Sequence, residues 1–263
     1  SNTAYEGEIR NMGDTVNIRT TPEITIRDYV KGQTLSVENP DKAKLQLLID
    51  KGEYFACVED DVDNIQSDVN LMDTWSKDAS ERMKIKIDQR VLTDILPDIS
   101  ALNKGATAGA ISGDIDLGTQ GAPEALTTTN VIDLIVNMGT VLDEANAPES
   151  DRYLVIPAKM AGLIKRSDLK DASITGDSTS PLRNGRLGMI DRFTVYMSHN
   201  IKKTGANFDV IAGHKMGFTF ASQMTEMETI RSESTFGNIV RGLQVYGYKV
   251  VKPEAIAQAV VTL

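Results

Sequence analysis

"GDTVNIRTTPEITIRDYVKG", residues 13–32, is the stretch from which the rest of the chain is best read. Val16 and Ile18 alternate with Thr15, Asn17 and Arg19, and Ile24 and Ile26 alternate with Thr25 and Arg27. Thr20-Thr21-Pro22-Glu23 stands between the two runs. The pattern predicts two strands and a turn, with one narrow apolar face and one charged face. Two strands alone are marginal in water, so the apolar face needs cover from elsewhere.

Outward from the hairpin, Lys44 to Ile49 and Glu53 to Val58 read as strands, with Asp50-Lys51-Gly52 as a tight turn. The period then changes. Val69, Met72, Trp75, Ala79, Met83, Ile87, Val91 and Ile95 recur every three or four residues, which predicts one amphipathic helix of about 35–40 Å. Asp63 and Gln66 have capping-box spacing at its start, and Pro97 marks its end. Such a helix must lie on a sheet or on a neighbour.

Residues 103–129 are rich in Gly, Ala and Thr and read as a loop or spacer. A second helix, capped by Thr128 or Thr129, is predicted through about Asn146, with Ile132, Ile135, Val136 and Leu142 on its face. A short strand over "RYLVIP", a short helix over "AKMAGLIKRSD", and strands over "DRFTVYMS" and "FDVIAG" follow, with polar, turn-rich residues 168–186 among them. The middle of the chain is thus a mixed α/β module. "IVRGLQVYGYKVVKPEAIAQAVVTL" returns to strands, broken at Pro253.

The chain has 263 residues, 41% hydrophobic and 25% charged, enough to bury a substantial core. It opens on Ser1-Asn2, not Met, which reads as processing or a cloning remnant. Lone Cys57 excludes an internal disulfide and a Cys-based zinc site, and a small buried role accounts for it. The net charge of −9 argues against tight nucleic-acid binding, which depends on Lys and Arg neutralising phosphates. No apolar run has the length of a membrane helix.

Catalytic and metal patterns do not rise above background. "RNGRLGMID" (183–191) lacks the GxxxxGK[ST] spacing of a phosphate loop, and Asn184-Gly185 reads as a turn. "EDDVDN" (59–64) lacks the Gly and final Glu of a calcium loop, and its acids suit a helix start; "GDIDLG" (113–118) is weaker still. His199 and His214 show no HExxH or H-x3-H spacing, and no GxSxG accompanies them. The methionines of residues 216–227 suit a strand packed on the core. No catalytic, cofactor-binding or metal residue is therefore assigned, and no cofactor is expected.

Taken together, "YEGEIRNMGDTVNIRTTPEITIRDY", "DDVDNIQSDVNLMDTWSKDA", "SDLKDASITGDS", "LRNGRLGMIDRFTVYMS" and "VRGLQVYGYKVVKPEA" resemble segments of tailed-bacteriophage or prophage major capsid proteins of the Hong Kong 97 fold. The resemblance implies an α+β class with an extended E-loop hairpin, a long spine helix in a peripheral domain and an inserted α/β axial domain. Its ranges are 1–43 for the E-loop and its base, 44–124 for the peripheral domain, 125–235 for the axial domain, and 236–263 for strands returning to the peripheral domain. It also implies a structural protein that is not an enzyme. Copies assemble into hexamers and pentamers of an icosahedral head around double-stranded DNA, which is enclosed without sequence-specific binding. A scaffolding protein or segment and a portal are implied partners. The virion, and the host cytoplasm during assembly, are the implied locations. No membrane is involved. Arg19, Ile26 and Arg27 on the hairpin, and Trp75 and Arg82 on the helix, are the candidate subunit contacts, although Trp75 also suits an intrachain core and exposed arginines are often merely solvated. Alternatives are an encapsulin-like compartment shell and, from another class, a hydrolase using Ser with His199 or His214.

Overall fold

The computed structural model describes residues 15–19, 26–28, 31–34, 37, 44–60, 71–167, 188–233 and 236–263. Strand β1 (Thr15–Arg19) pairs antiparallel with β2 (Lys44–Leu48), running from Thr15 opposite Leu48 to Arg19 opposite Lys44. Among the described residues the partner of β1 is therefore β2, Ile26–Asp28 carries no strand, and the segment around Ile24 lies outside the described residues. Alternation specifies which face is apolar but not which strand lies alongside. Here β2 wins because Leu47 is buried on Ala221 and Val245 and so anchors the ribbon to the body. The expected turn at Thr20–Glu23 lies outside the described residues.

β3 (Lys51–Asp60) begins three residues after β2 ends but belongs to another sheet. The expected tight turn at Asp50-Lys51-Gly52 is replaced by a step between layers, with Lys51 and Gly52 inside β3, opposite Tyr246 and Val245. Ile49 is fully buried at the step, so the apolar residue stays under the sheet instead of exposing itself in a turn.

Helix α1 (Leu71–Asp94) has 24 residues and is about 36 Å long. Met83, Ile87 and Val91, spaced by four, form its buried face, and Ile95 continues the row just past its end. Pro97 follows, where a helix cannot continue. Trp75 is 39% exposed, so an intrachain core role does not account for it. The capping pair Asp63 and Gln66 lies outside the described residues.

Residues 103–129 form no free spacer, although β4 (Glu124–Ala125) is their only strand among the described residues. Ala108 and Leu117 are fully buried, and Asn103 Nδ2 donates to the carbonyls of Glu254 (2.6 Å) and Ile256 (3.0 Å). Small residues serve close approach here: a Cβ on Gly118 would stand 2.2 Å from the Val260 carbonyl oxygen. Helix α2 (Val131–Glu144) starts after Asn130, whose Oδ1 accepts from the Thr127 N–H at 2.7 Å, not after Thr128 or Thr129. It ends two residues before Asn146, which takes a left-handed φ of 53° and closes the helix. Its buried stripe is Val131, Leu134, Ile135, Met138, Val141 and Leu142. Ile132 is only partly buried, and Val136 falls off the 3.6-residue stripe and is exposed.

β5 (Arg152–Ile156), helix α3 (Ala158–Arg166), β6 (Met189–Ile190), β7 (Phe193–Met197), β8 (Lys203–Thr204) and β9 (Asn207–His214) follow. Then come the long antiparallel pair β10 (Phe218–Arg231) and β11 (Gly237–Val250), and finally β12 (Ile256–Thr262). One sheet has the order β10-β11-β3. The other, of seven strands, runs β4-β12-β9-β5-β7-β6, with β8 added on β9. α3 links the parallel pair β5 and β7. Together α2 and α3 cover the face bearing Leu154, Ile156, Phe193 and Val210. The opposite face, through Ile211, Ile256 and Tyr153, meets the C-terminal half of α1, which also packs on Phe218, Tyr246 and Val250 of the three-stranded sheet.

Sheet membership differs from the expected ranges at two places. β10, expected in the inserted module, pairs with β11 along its length. β12, expected with the returning strands, lies between β9 and β4. Its run of Ala and Val is buried on both faces, as an inner strand demands.

Candidate subunit-contact surfaces

The histidines build no catalytic arrangement with the described residues. His214 is buried at the end of β9, its Nδ1 accepting from the Met216 N–H at 3.2 Å, and burial holds its pKa down against Asp151. His199 is exposed in a bend. Among the described residues, no group of three or more His, Cys, Asp or Glu could hold a metal ion. An apolar cleft of about 390 Å³ lies between α1 and the seven-stranded sheet, lined by Leu92, Ile95, Tyr153, Tyr196 and Phe218 among others.

The larger features are surfaces. In the three-stranded sheet, Leu243 lies opposite Tyr54 and Ile239 opposite Val58, with Arg241 between them paired to Glu228. Residues two apart share a face, so this row continues the face on which Val245 is buried beneath β2. Beyond β2 this row is open: Tyr54 is 79% exposed and Val58 53%. Exposed apolar rows of this kind mark interaction surfaces.

The other face of the sheet is clasped to α1 by charge. Glu53 accepts from Lys86 at 2.5 Å and from Arg90 at 3.3 Å, with the Tyr246 hydroxyl at 3.5 Å. Tyr248 donates to Asp94 one turn further on. The hydrogen bond from Lys86, with the charges of Lys86 and Arg90, holds the Glu53 carboxyl below its ordinary range despite burial.

The five candidate contacts fall into two groups. Arg19 ends β1, opposite Lys44, while Ile26 and Arg27 are exposed further along the arm, Ile26 at 90%. Trp75 and Arg82, seven residues apart, share one side of α1, where Arg82 pairs with Asp78 at 2.7 Å. The arm is rooted on one face of the three-stranded sheet and α1 lies on the other. Trp75 and Arg82 therefore share one helix side, while the strand that ends at Arg19 is rooted on the opposite face of the sheet.

Sequence reasoning missed a buried arginine that stiffens the larger unit. Arg152 is fully buried at the start of β5 and donates to the carbonyls of Pro148 (2.8 Å) and Ala147 (2.7 Å). It also pairs with Asp143 at 2.7 Å, which holds Arg192 at 2.8 Å. Burial works to raise the Asp143 pKa, but hydrogen bonds from Arg192 and Arg152 outweigh it and the carboxyl is held low. The signal was present in "RYLVI": Arg152 shares a face with Leu154 and Ile156.

A family model described as "Phage capsid protein" matches residues 45–259. A solved structure from Mycobacterium phage Che8 is 26% identical, with a TM-score of 0.75 over 98% of this chain and 88% of that one. The capsid of Ralstonia phage GP4 is 13% identical, with a TM-score of 0.66 over 99% and 86% of the two chains. The mature capsid of bacteriophage PhiM1 is 14% identical, with a TM-score of 0.64 over 100% and 87%. No curated protein sequence matches the chain.

Proposed function

The chain belongs to the phage capsid protein family, and from that premise we propose how its parts serve a shell. It is a structural major capsid protein of mixed α/β fold, and its work is self-assembly, not catalysis. The compartment-shell and hydrolase alternatives are not favoured, since the family and the matched structures are those of phage capsids. The match over residues 45–259 carries this reading.

The finer assignment follows the Hong Kong 97 plan. The β1–β2 arm serves as the extended loop and α1 as the spine helix. The three-stranded sheet with α1 forms the peripheral unit, and the seven-stranded sheet with α2 and α3 forms the axial one. An arm that is marginal alone gains its cover by lying on the adjacent copy. Head-to-tail contacts of this kind close into rings, and rings of six and five tile an icosahedral shell. Arg19, Ile26 and Arg27 on the arm, and Trp75 and Arg82 on the helix, make these contacts. A scaffold and a portal assist assembly in the host cytoplasm, and the finished shell encloses double-stranded DNA. The net charge of −9 suits a wall that must not grip the genome it contains. Electron microscopy of the full-length protein, expressed with its scaffold, tests the proposal. Uniform closed shells are expected; a protein that stays monomeric under all these conditions would remove it.

A further inference from the structure

Across β9, β5, β7 and β6 the strand register sets two rows of side chains on the sheet face that meets α1. Ile211 lies opposite Val155, and Val155 opposite Tyr196. Gly213 lies opposite Tyr153, Tyr153 opposite Thr194, and Thr194 opposite Met189. Residues directly opposite share a face, as do residues two apart on one strand. The inner end of these rows is sealed: Ile211 is fully buried, and Tyr153 packs in the same cluster as the end of α1. The outer end is open, with Tyr196 56% exposed and Met189 70%. Between the two ends lies the cleft of about 390 Å³, with Leu92 and Ile95 on its α1 side. The result is an apolar shelf that continues the core outward and has no cover among the described residues.

The turn that joins the two outer strands is held at a cost in backbone conformation. Ile190 pairs with Phe193, so Asp191 and Arg192 form a two-residue turn, with φ of 44° and 65°. Both are left-handed, the second at a position that glycine usually fills. Side-chain ties keep the turn in place. Arg192 Nη2 holds Asp143 of α2 at 2.8 Å, and its Nη1 holds Glu149 at 3.4 Å. The Asp191 carboxylate lies against Gly139 of α2, where a Cβ would stand 2.5 Å from its Oδ2. At the cleft, Lys215 and Asp151 pair at 2.5 Å. These charges are thus matched within the chain, and the ribbon that bears Met189 and Tyr196 is fixed before any partner arrives, which lowers the entropic cost of binding.

Resting on the shell reading above, we propose that this shelf, with Met189 and Tyr196 at its open end, is a contact surface for a second copy of the chain. Its chemistry favours that occupant over one that binds and leaves. Permanent contacts between identical chains are more apolar than transient ones, and Met and Tyr are enriched in interfaces. The shelf is apolar and the charges beside it are already paired, so it offers little to a partner held by charge. Every copy carries the shelf, so its cover must be present once per copy, and the self-assembling chain itself meets that count. The contact is separate from the arm, which is rooted on the other sheet.

The full-length protein, expressed with its scaffold, tests this through the photo-crosslinking residue p-benzoylphenylalanine placed at Tyr196. Irradiated shells are expected to yield adducts of two copies of the chain, read as a band of doubled mass on a denaturing gel and mapped by mass spectrometry. Shells whose adducts form only within one chain, or only with the scaffold, or not at all, overturn the contact and leave the shell reading intact. Met189→Ser with Tyr196→Ser is expected to raise the concentration needed for shells by roughly tenfold or more, read by sedimentation, with the melting temperature of the unassembled subunit unchanged. Unaltered assembly overturns the contact, and so does a lowered melting temperature, which would place these side chains in an intrachain core. Arg192→Ala removes the tie without touching the shelf and is expected to weaken assembly as well; full assembly in that variant overturns the part given to the turn. A wild-type chain that forms neither rings nor shells overturns both the contact and the shell reading.

Discussion

The seven-stranded sheet is covered on one face by α2 and α3 and meets the end of α1 on the other, whereas the three-stranded sheet has α1 on one face and, among the described residues, only β2 at one end of its other. In the first, the largest side chains are sealed, including Arg152, Phe193, Leu142 and Leu154. In the second, Tyr54 and Val58 lie open in line with the sealed Val245. The larger sheet is covered more fully, though Met189, Tyr196 and Met197 on its β6–β7 edge are exposed as well. Burial within the chain supports folding, and apolar surface left outside supports association.

The sharpest way to break this comparison is to remove the arm. Deleting residues 13–31 is expected to leave a cooperatively folding subunit and to abolish shells completely, as seen by thermal melting and electron microscopy. Normal shells from that deletion would show that the arm contributes nothing between copies. Within the closed region, Arg152→Ala is expected to cost about 2–5 kcal/mol by denaturant titration, because it empties the space of a fully buried side chain, leaves the buried Ala147 carbonyl without its donor and leaves Asp143 with Arg192 alone. Leu142→Ala should cost about 2–5 kcal/mol by the same measurement. A loss below about 1 kcal/mol for both would mean the core is looser than its burial indicates.

On the open face the order reverses. Tyr54→Ser and Val58→Ser are each expected to change subunit stability by less than about 0.5 kcal/mol, yet to weaken assembly in sedimentation. A large stability loss would place these residues in an intrachain core. The smallest effect concerns acid. The lowered Glu53 pKa means its contribution is fully present above the ordinary value of 4.5 and is lost as pH falls below that through the folded value. Trp75 is the only tryptophan and lies on α1, so its fluorescence reports release of the helix from the sheet. The signal should shift as pH drops below about 4.5 and should lose that dependence in Glu53→Gln; an unchanged acid response in the variant would assign the shift to another group.

Periodicity in the sequence located α1, α2, α3 and most strands, because a helix or strand half-buried along its length must repeat its apolar residues at 3.6 or 2. It misplaced what that rule does not reach. Val136 looked inward because it is apolar, and Leu134 and Met138 were passed over although they complete the buried stripe. Residues 103–129 looked like a spacer because small residues carry no pattern, while their burial depends on Leu117 and Asn103 meeting β12 from far along the chain. Among the candidate contacts, Ile26 and Arg82 are exposed, and so is Trp75, although its place in the helical series allowed a core.

What the sequence determined by itself was local: the half-polar arm, the long helix and the lack of catalytic spacing. Each depends on residues close together in the chain. Only the tertiary structure decided that β1 pairs with β2, that β3 leaves β2 for another sheet, that β12 crosses into the larger sheet, and that one apolar face stays open. The reason is physical. A strand's side chains encode which face must be buried, but its backbone N–H and C=O groups can be satisfied by any strand alongside. The choice among partners is made by packing between residues remote in sequence.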